Sequence, residues 1–184
     1  KDLERLFNAL DKKVGKGAYV VFLTADHGAV DVPAYLQSVK IPAGYVYNEK
    51  RKEKFQKFLT DEFGTTEVLE KISSNQIFLN RKKIRTLGLD LEDVQQAIVN
   101  EQITYDNVYK AYTAKTMNSV NFTEGVEALL QNGYNQKRSG DVLIVNDPNY
   151  IAYRNTGTTH GSGLNYDTHV PLLFFGKGIK QGET

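Results

Sequence analysis

A chain of 184 residues with 40% apolar and 24% charged residues has the composition of one folded domain, which excludes disorder, collagen-like repeats and membrane-spanning stretches. Its 23 Lys and Arg against 22 Asp and Glu leave a formal charge of +1, so no global basic field draws nucleic acid or anionic lipid. Cysteine is absent, so neither a disulfide nor a thiolate metal ligand can form.

The elements follow in chain order. Leu3, Leu6, Phe7, Leu10 and Val14 recur at helical spacing with charges between them, and Gly15 and Gly17 end the pattern. Nothing resembling a secretory signal precedes this helix in the sequence. Tyr19 to Thr24 is a continuous β-branched and aromatic run, the composition of a parallel strand buried on both faces, and it ends at Ala25-Asp26-His27-Gly28. A helix feeding such a strand predicts an open α/β sheet, in which ligand sites collect at the carboxyl ends of the strands.

From about Glu49 the texture becomes more charged. Phe55, Phe58, Leu59 and Phe63 form a helical stripe closed by Gly64. Val68–Ile72 and Gln76–Asn80 flank Ser73-Ser74-Asn75 and predict a hairpin. Asp90 caps a helix carrying Leu91, Val94 and Ile98, and Val108–Thr113 fits either strand or helix, with strand preferred. Thr123 is expected to cap a helix that turns Val126, Leu129 and Leu130 inward and stops at Gly133. Asp141–Val145 and Tyr150–Tyr153 read as a second hairpin around Asn146-Asp147-Pro148-Asn149. A glycine-rich loop from Thr156 to Gly163 and a second buried strand from His169 to Gly176 return to the texture of the start. Residues 1–47 and 154–184 thus read as pieces of one α/β core, and residues 48–153 as an insertion between them. The cationic runs Lys50-Arg51-Lys52 and Arg81-Lys82-Lys83 read as solvated faces.

The chain has three histidines, and two of them, His27 and His160, are followed directly by glycine in predicted loops. A His-Gly step lets the backbone turn away while the imidazole faces a ligand. Asp26 beside His27 offers a hard oxygen and a borderline nitrogen, both suited to zinc. Neighbouring side chains on a strand point to opposite faces, so the two reach one ion only if the strand has already broken into loop. Taken alone, Asp26-His27-Gly28 also fits a hydrogen-bonded loop aspartate beside a half-exposed histidine.

Val21 to Gly28, followed by Thr159-His160-Gly161-Ser162 and Tyr166-Asp167-Thr168-His169-Val170-Pro171-Leu172, resembles the carboxyl-terminal half of the alkaline phosphatase superfamily. Within it the resemblance is to the type I phosphodiesterase/nucleotide pyrophosphatase group, and more narrowly to bacterial alkaline phosphatases of the PafA type. The resemblance implies a partial three-layer α/β/α sandwich with a large helix-and-hairpin insertion. It implies two zinc ions in the intact parent and phosphoryl transfer through a Thr or Ser phosphoenzyme. Asp26 and His27 match the ligands of the nucleophile-side zinc, and His160 matches the histidine of the other. His169, at the start of an apolar strand, could be a ligand but is expected to be structural or to support the ligands, and Tyr166 and Asp167 either orient His160 or only shape its loop.

The nucleophile and the remaining ligands of this family pattern do not occur in these 184 residues. The expectation is therefore a carboxyl-terminal part of a periplasmic or secreted phosphate monoesterase, inactive by itself and holding zinc partly or not at all. Its partners would be a phosphate ester substrate and the amino-terminal half of the same polypeptide, with no nucleic acid. The alternatives are a part of a phosphodiesterase or nucleotide pyrophosphatase, and a non-catalytic domain that binds a metal or a partner.

Overall fold

The computed structural model describes residues 1–46, 49–154 and 156–182. Eight α-helices are described: α1 Asp2–Lys13, α2 Pro33–Ser38, α3 Glu49–Phe63, α4 Arg81–Thr86, α5 Leu91–Gln102, α6 Ala114–Ser119, α7 Gly125–Gly133 and α8 Asn165–Thr168. The strands are β1 Val20–Thr24, β2 Gly44–Tyr45, β3 Leu69–Ser73, β4 Gln76–Leu79, β5 Val108–Thr113, β6 Val142–Asn146, β7 Tyr150–Ile151 and β8 Leu172–Gly176. The chain is therefore mixed α/β, and it divides into two compact units, Lys1–Gly28 with Thr168–Thr184, and Ala29–Asp167. Among the described residues no helix is long and apolar enough to cross a membrane.

In the first unit β1 and β8 pair antiparallel, with Val20 opposite Gly176, Phe22 opposite Phe174 and Thr24 opposite Leu172. Helix α1 lays Phe7 against Phe175, ring centroids 5.0 Å apart, and the Tyr19 hydroxyl donates to Asp11 Oδ1 at 2.8 Å. The expected parallel strand buried on both faces is not what forms. Both strands are exposed, with Phe22 at 64% and Leu172 at 60% of full accessibility. The composition does suit burial on two faces, but within this unit one helix and one strand are too little material to provide it.

The second unit is built on a four-stranded sheet of order β3-β4-β6-β5, every pair antiparallel. The predicted hairpin β3–β4 turns through Ser74 and Asn75 at φ 50° and 59°, the two left-handed residues of a type I′ turn. Helices α3, α4 and α5 bring Phe55, Leu59, Ile84, Val94 and Ile98 into a common core with Ile77, Leu79 and Val142. Asp90 caps α5 as expected, its Oδ1 accepting from the N–H groups of Glu92 and Asp93 at 2.8 and 3.2 Å. Strand β6 is buried at all five positions.

Three sequence expectations fail here. The turn at Asn146–Asn149 forms, with Tyr150 N–H donating to Asp147 O, but no hairpin results. β6 stays in the four-stranded sheet while β7 pairs parallel with β2, Gly44 opposite Tyr150. A turn signal fixes the local reversal and leaves the pairing partner to the tertiary fold. Helix α7 begins at Gly125 with Glu124 in the capping position and no side-chain cap bond, so Thr123 does not cap it. Leu129, expected inward, is 48% exposed. The β2–β7 pair closes a small second core of Val30, Leu36, Ala43 and Ile151.

Candidate metal centre

Asp26 and His27 belong to the first unit, at the end of β1. The strand stops at Thr24 and the chain bends at Asp26, which is the break that both side chains need to reach one ion. His27 N–H donates to Asp26 Oδ1 at 3.1 Å. Its ring Nδ1 lies 2.7 Å from Gly28 O. A carbonyl only accepts, so Nδ1 carries the proton, and in the neutral ring Nε2 carries the lone pair. That nitrogen faces Asp26 Oδ2 at 3.7 Å.

Two acceptor atoms facing each other repel unless a cation lies with them, either a proton on Nε2 or a metal ion. Tetrahedral zinc holding one imidazole nitrogen and one carboxylate oxygen keeps those atoms about 3.3 Å apart, close to the spacing here. The donor pair therefore fits zinc; the Asp26 side chain is 89% and the His27 side chain 39% exposed.

His160 belongs to the second unit, on the glycine-rich loop, and is exposed. The chain is pinned on both sides of it. On the amino side Thr158 Oγ1 donates to Val30 O at 2.5 Å, and Tyr45 Oη donates to Gly157 O at 2.7 Å. On the carboxyl side Gly161 turns at φ +113°, a left-handed conformation that favours glycine. Gly161 and Ser162 are both tied to buried Asp167 through its Oδ2. Asp167 lies within the sequence motif and its role could be suspected there. Val30 and Tyr45 carried no local signal, since their partners lie 128 and 112 residues away.

Beside the loop, within the same unit, is a cavity of about 510 Å³ lined by Asn75, Asn146, Tyr150, His160, Tyr166 and Asp167. His169, in the first unit, is exposed just ahead of β8. Among the described residues no three His, Asp or Glu side chains cluster as a complete metal site.

The chain as a whole is similar to known proteins. Alkaline phosphatase PafA of Elizabethkingia meningoseptica is 39% identical over all of this chain and 34% of its own length. Alkaline phosphatase PhoV of Synechococcus elongatus is 36% identical over all of this chain and 33% of its own length. The chain thus spans about a third of the length of the curated relatives it matches. The crystal structure of wild-type alkaline phosphatase PafA superimposes with a TM-score of 0.89 at 38% identity, covering 100% of this chain and 35% of that one. The fold is therefore that of PafA over the portion matched. The sequence pattern described as Type I phosphodiesterase / nucleotide pyrophosphatase matches residues 1–170, a span that holds Asp26, His27 and His160 together with the strands and loops that present them. By that breadth of agreement the chain belongs to the type I phosphodiesterase/nucleotide pyrophosphatase family.

Proposed function

We propose that this chain is the carboxyl-terminal part of a zinc-dependent phosphate monoesterase. Residues 1–47 and 154–184 would contribute to a metal-binding core and residues 48–153 form an insertion in it. The observation that carries the reading is the pair of facing acceptors, His27 Nε2 and Asp26 Oδ2, 3.7 Å apart at the carboxyl end of a strand. The alkaline phosphatase names of the 39% and 36% identical relatives support the choice of monoesters.

In this reading Asp26 and His27 hold the nucleophile-side zinc and His160 holds the other. Bound zinc supplies Lewis acidity toward the phosphoryl oxygens and the attacking and leaving oxygens. The chain's own contribution is orientation. Gly28 O keeps the proton on Nδ1 and so presents Nε2, and the His27 N–H holds Asp26 Oδ1 so that Oδ2 faces the same space. The Thr or Ser nucleophile, the remaining ligands and the groups that bind phosphoryl oxygens would come from the rest of the polypeptide, which a periplasmic or secreted parent would carry.

The test uses the full-length protein containing this chain, assayed on p-nitrophenyl phosphate with zinc measured by mass spectrometry. Asp26→Ala and His160→Ala are each expected to lower the bound zinc and to cost at least about a hundredfold in rate. Full zinc and full rate in both variants would refute the assignment. The 184-residue chain alone is expected to show no turnover. A diesterase reading draws on the family's description, and faster cleavage of bis-p-nitrophenyl phosphate than of the monoester would establish it instead.

A further inference from the structure

Asp167 is 5% exposed, and one of its oxygens gathers three donors from the two residues that follow His160. Gly161 N–H reaches Asp167 Oδ2 at 3.0 Å, Ser162 N–H at 2.7 Å and Ser162 Oγ–H at 2.7 Å. Ser162 Oγ in turn accepts from Leu164 N–H at 3.2 Å, and Asp167 N–H donates to Leu164 O at 2.9 Å. The segment 161–167 is thus a closed ring of hydrogen bonds around a buried carboxylate. Hydrogen bonds to an ionised acceptor are shorter and stronger than neutral ones, so the ring is stiff where it meets His160.

We infer that Asp167 is a positioning residue for His160, fixing through Gly161 and Ser162 where the imidazole is presented. This rests on the proposed role of His160 as a zinc ligand. The ring bears on His160 because the Thr158 bond to Val30 O holds the other side. His160 then lies between two fixed points of the chain, Thr158 and Gly161. Among the described residues the other carboxylate oxygen, Oδ1, is buried with no hydrogen-bond partner. A structural loop clamp needs only one acceptor oxygen, and Asn supplies it. Asp167→Asn keeps the shape, weakens the three bonds by removing the charge, and puts an amide N–H₂ where Oδ1 sits.

The experiment uses the full-length protein and measures zinc affinity by competition with a chromogenic chelator. Thermal midpoints and the visible spectrum of the cobalt(II)-substituted protein are recorded alongside. Asp167→Asn is expected to weaken zinc binding at the His160 site about 10- to 100-fold, the range found when a group supporting a metal ligand is lost, and to alter the cobalt bands. Ser162→Ala, which leaves both backbone bonds in place, is expected to weaken binding less and in the same sense; it decides the matter if Asp167→Asn fails to fold. Wild-type affinity and an unchanged cobalt spectrum in the folded variants, with only the thermal midpoint lowered, would overturn the inference. His160→Ala is the control: if it leaves zinc affinity unchanged, the ligand assignment itself fails and takes the inference with it.

Discussion

At Gly176 the backbone has φ +129°, and a Cβ built there would lie 2.1 Å from Tyr19 O. Both conditions exclude side chains, since the conformation is rarely open to L-residues and the space is already filled by main chain. The neighbouring Lys177 N–H donates to that same Tyr19 oxygen at 2.9 Å, so the strands cannot part there without losing a bond. Gly176→Ala is therefore expected to destabilise the β1–β8 pairing by about 2–4 kcal/mol, read as increased hydrogen exchange at Val20 and Val21. Exchange at the wild-type rate in the alanine variant would show that the strand ends can yield. The break of β1 into loop at Asp26 was legible at this scale, because the end of the apolar run and Gly28 lie beside it in the chain. The grip of Val30 on Thr158 was not legible, because a threonine hydroxyl gives no sign of a carbonyl so far away in the chain.

Between elements, α7 is fastened to β5 by one carboxylate. Glu127 Oε1 pairs with Lys110 Nζ and accepts from Tyr112 Oη at 2.7 Å. The Lys110 ammonium, then the Tyr112 hydroxyl, hold the Glu127 carboxyl down at about 2. Burial, then the bond to Glu127, pushes the Tyr112 hydroxyl well above its ordinary value, and the Glu127 carboxylate raises Lys110. Because the folded value of Glu127 lies below the ordinary 4.5, its contribution is complete above that pH and is lost as the pH falls toward 2. Lys110 is the opposite case, contributing below its ordinary value and losing that contribution as the pH rises through the raised one. Glu127→Gln is expected to lower the thermal midpoint at pH 7 and to flatten its fall between pH 4.5 and 2. Parallel midpoint curves for the two proteins across that window would show that the carboxylate does not fasten the helix.

Element by element, legibility followed the range of the determinants. Helices α1, α3 and α5 were readable because a stripe and a stop or cap lie within a dozen residues, and β3–β4 because Ser74-Asn75 suits its own turn. Helix α7 lacked the Thr123 cap predicted for it, and it is held by β5 instead. The aspartate that begins the β6 segment could be read as a strand residue but not as a hub. Asp141 is 3% exposed and accepts from Leu79 N–H at 2.9 Å and from Arg81 Nη2 at 2.8 Å. Those partners lie 60 residues or more upstream, so one member of a cationic run read as solvent-facing reaches an internal carboxylate.

Over the whole molecule, the two units differ in how much of their apolar material is covered. The second buries two apolar cores, whereas the first leaves Phe22, Leu172, Leu173, Phe174 and Phe175 each more than half exposed. Phe22 and Phe174 are cross-strand partners with rings 6.3 Å apart, so they share one face and the exposure is contiguous. A stable soluble monomer rarely leaves such a patch open, and an antiparallel pair with free edges invites further strands. The chain also spans only about a third of the length of its relatives, and on the proposed reading the remainder of the polypeptide covers this face. The 184-residue chain expressed alone is therefore expected to self-associate in sedimentation velocity and to bind a hydrophobic dye. Phe22→Lys with Phe174→Lys should restore a monomer and suppress the dye signal, and adding the amino-terminal part of the polypeptide in trans should suppress it for the unaltered chain. A monomeric, dye-silent chain at micromolar concentration would mean that the face is tolerated in water, and the case for a covering partner would fall.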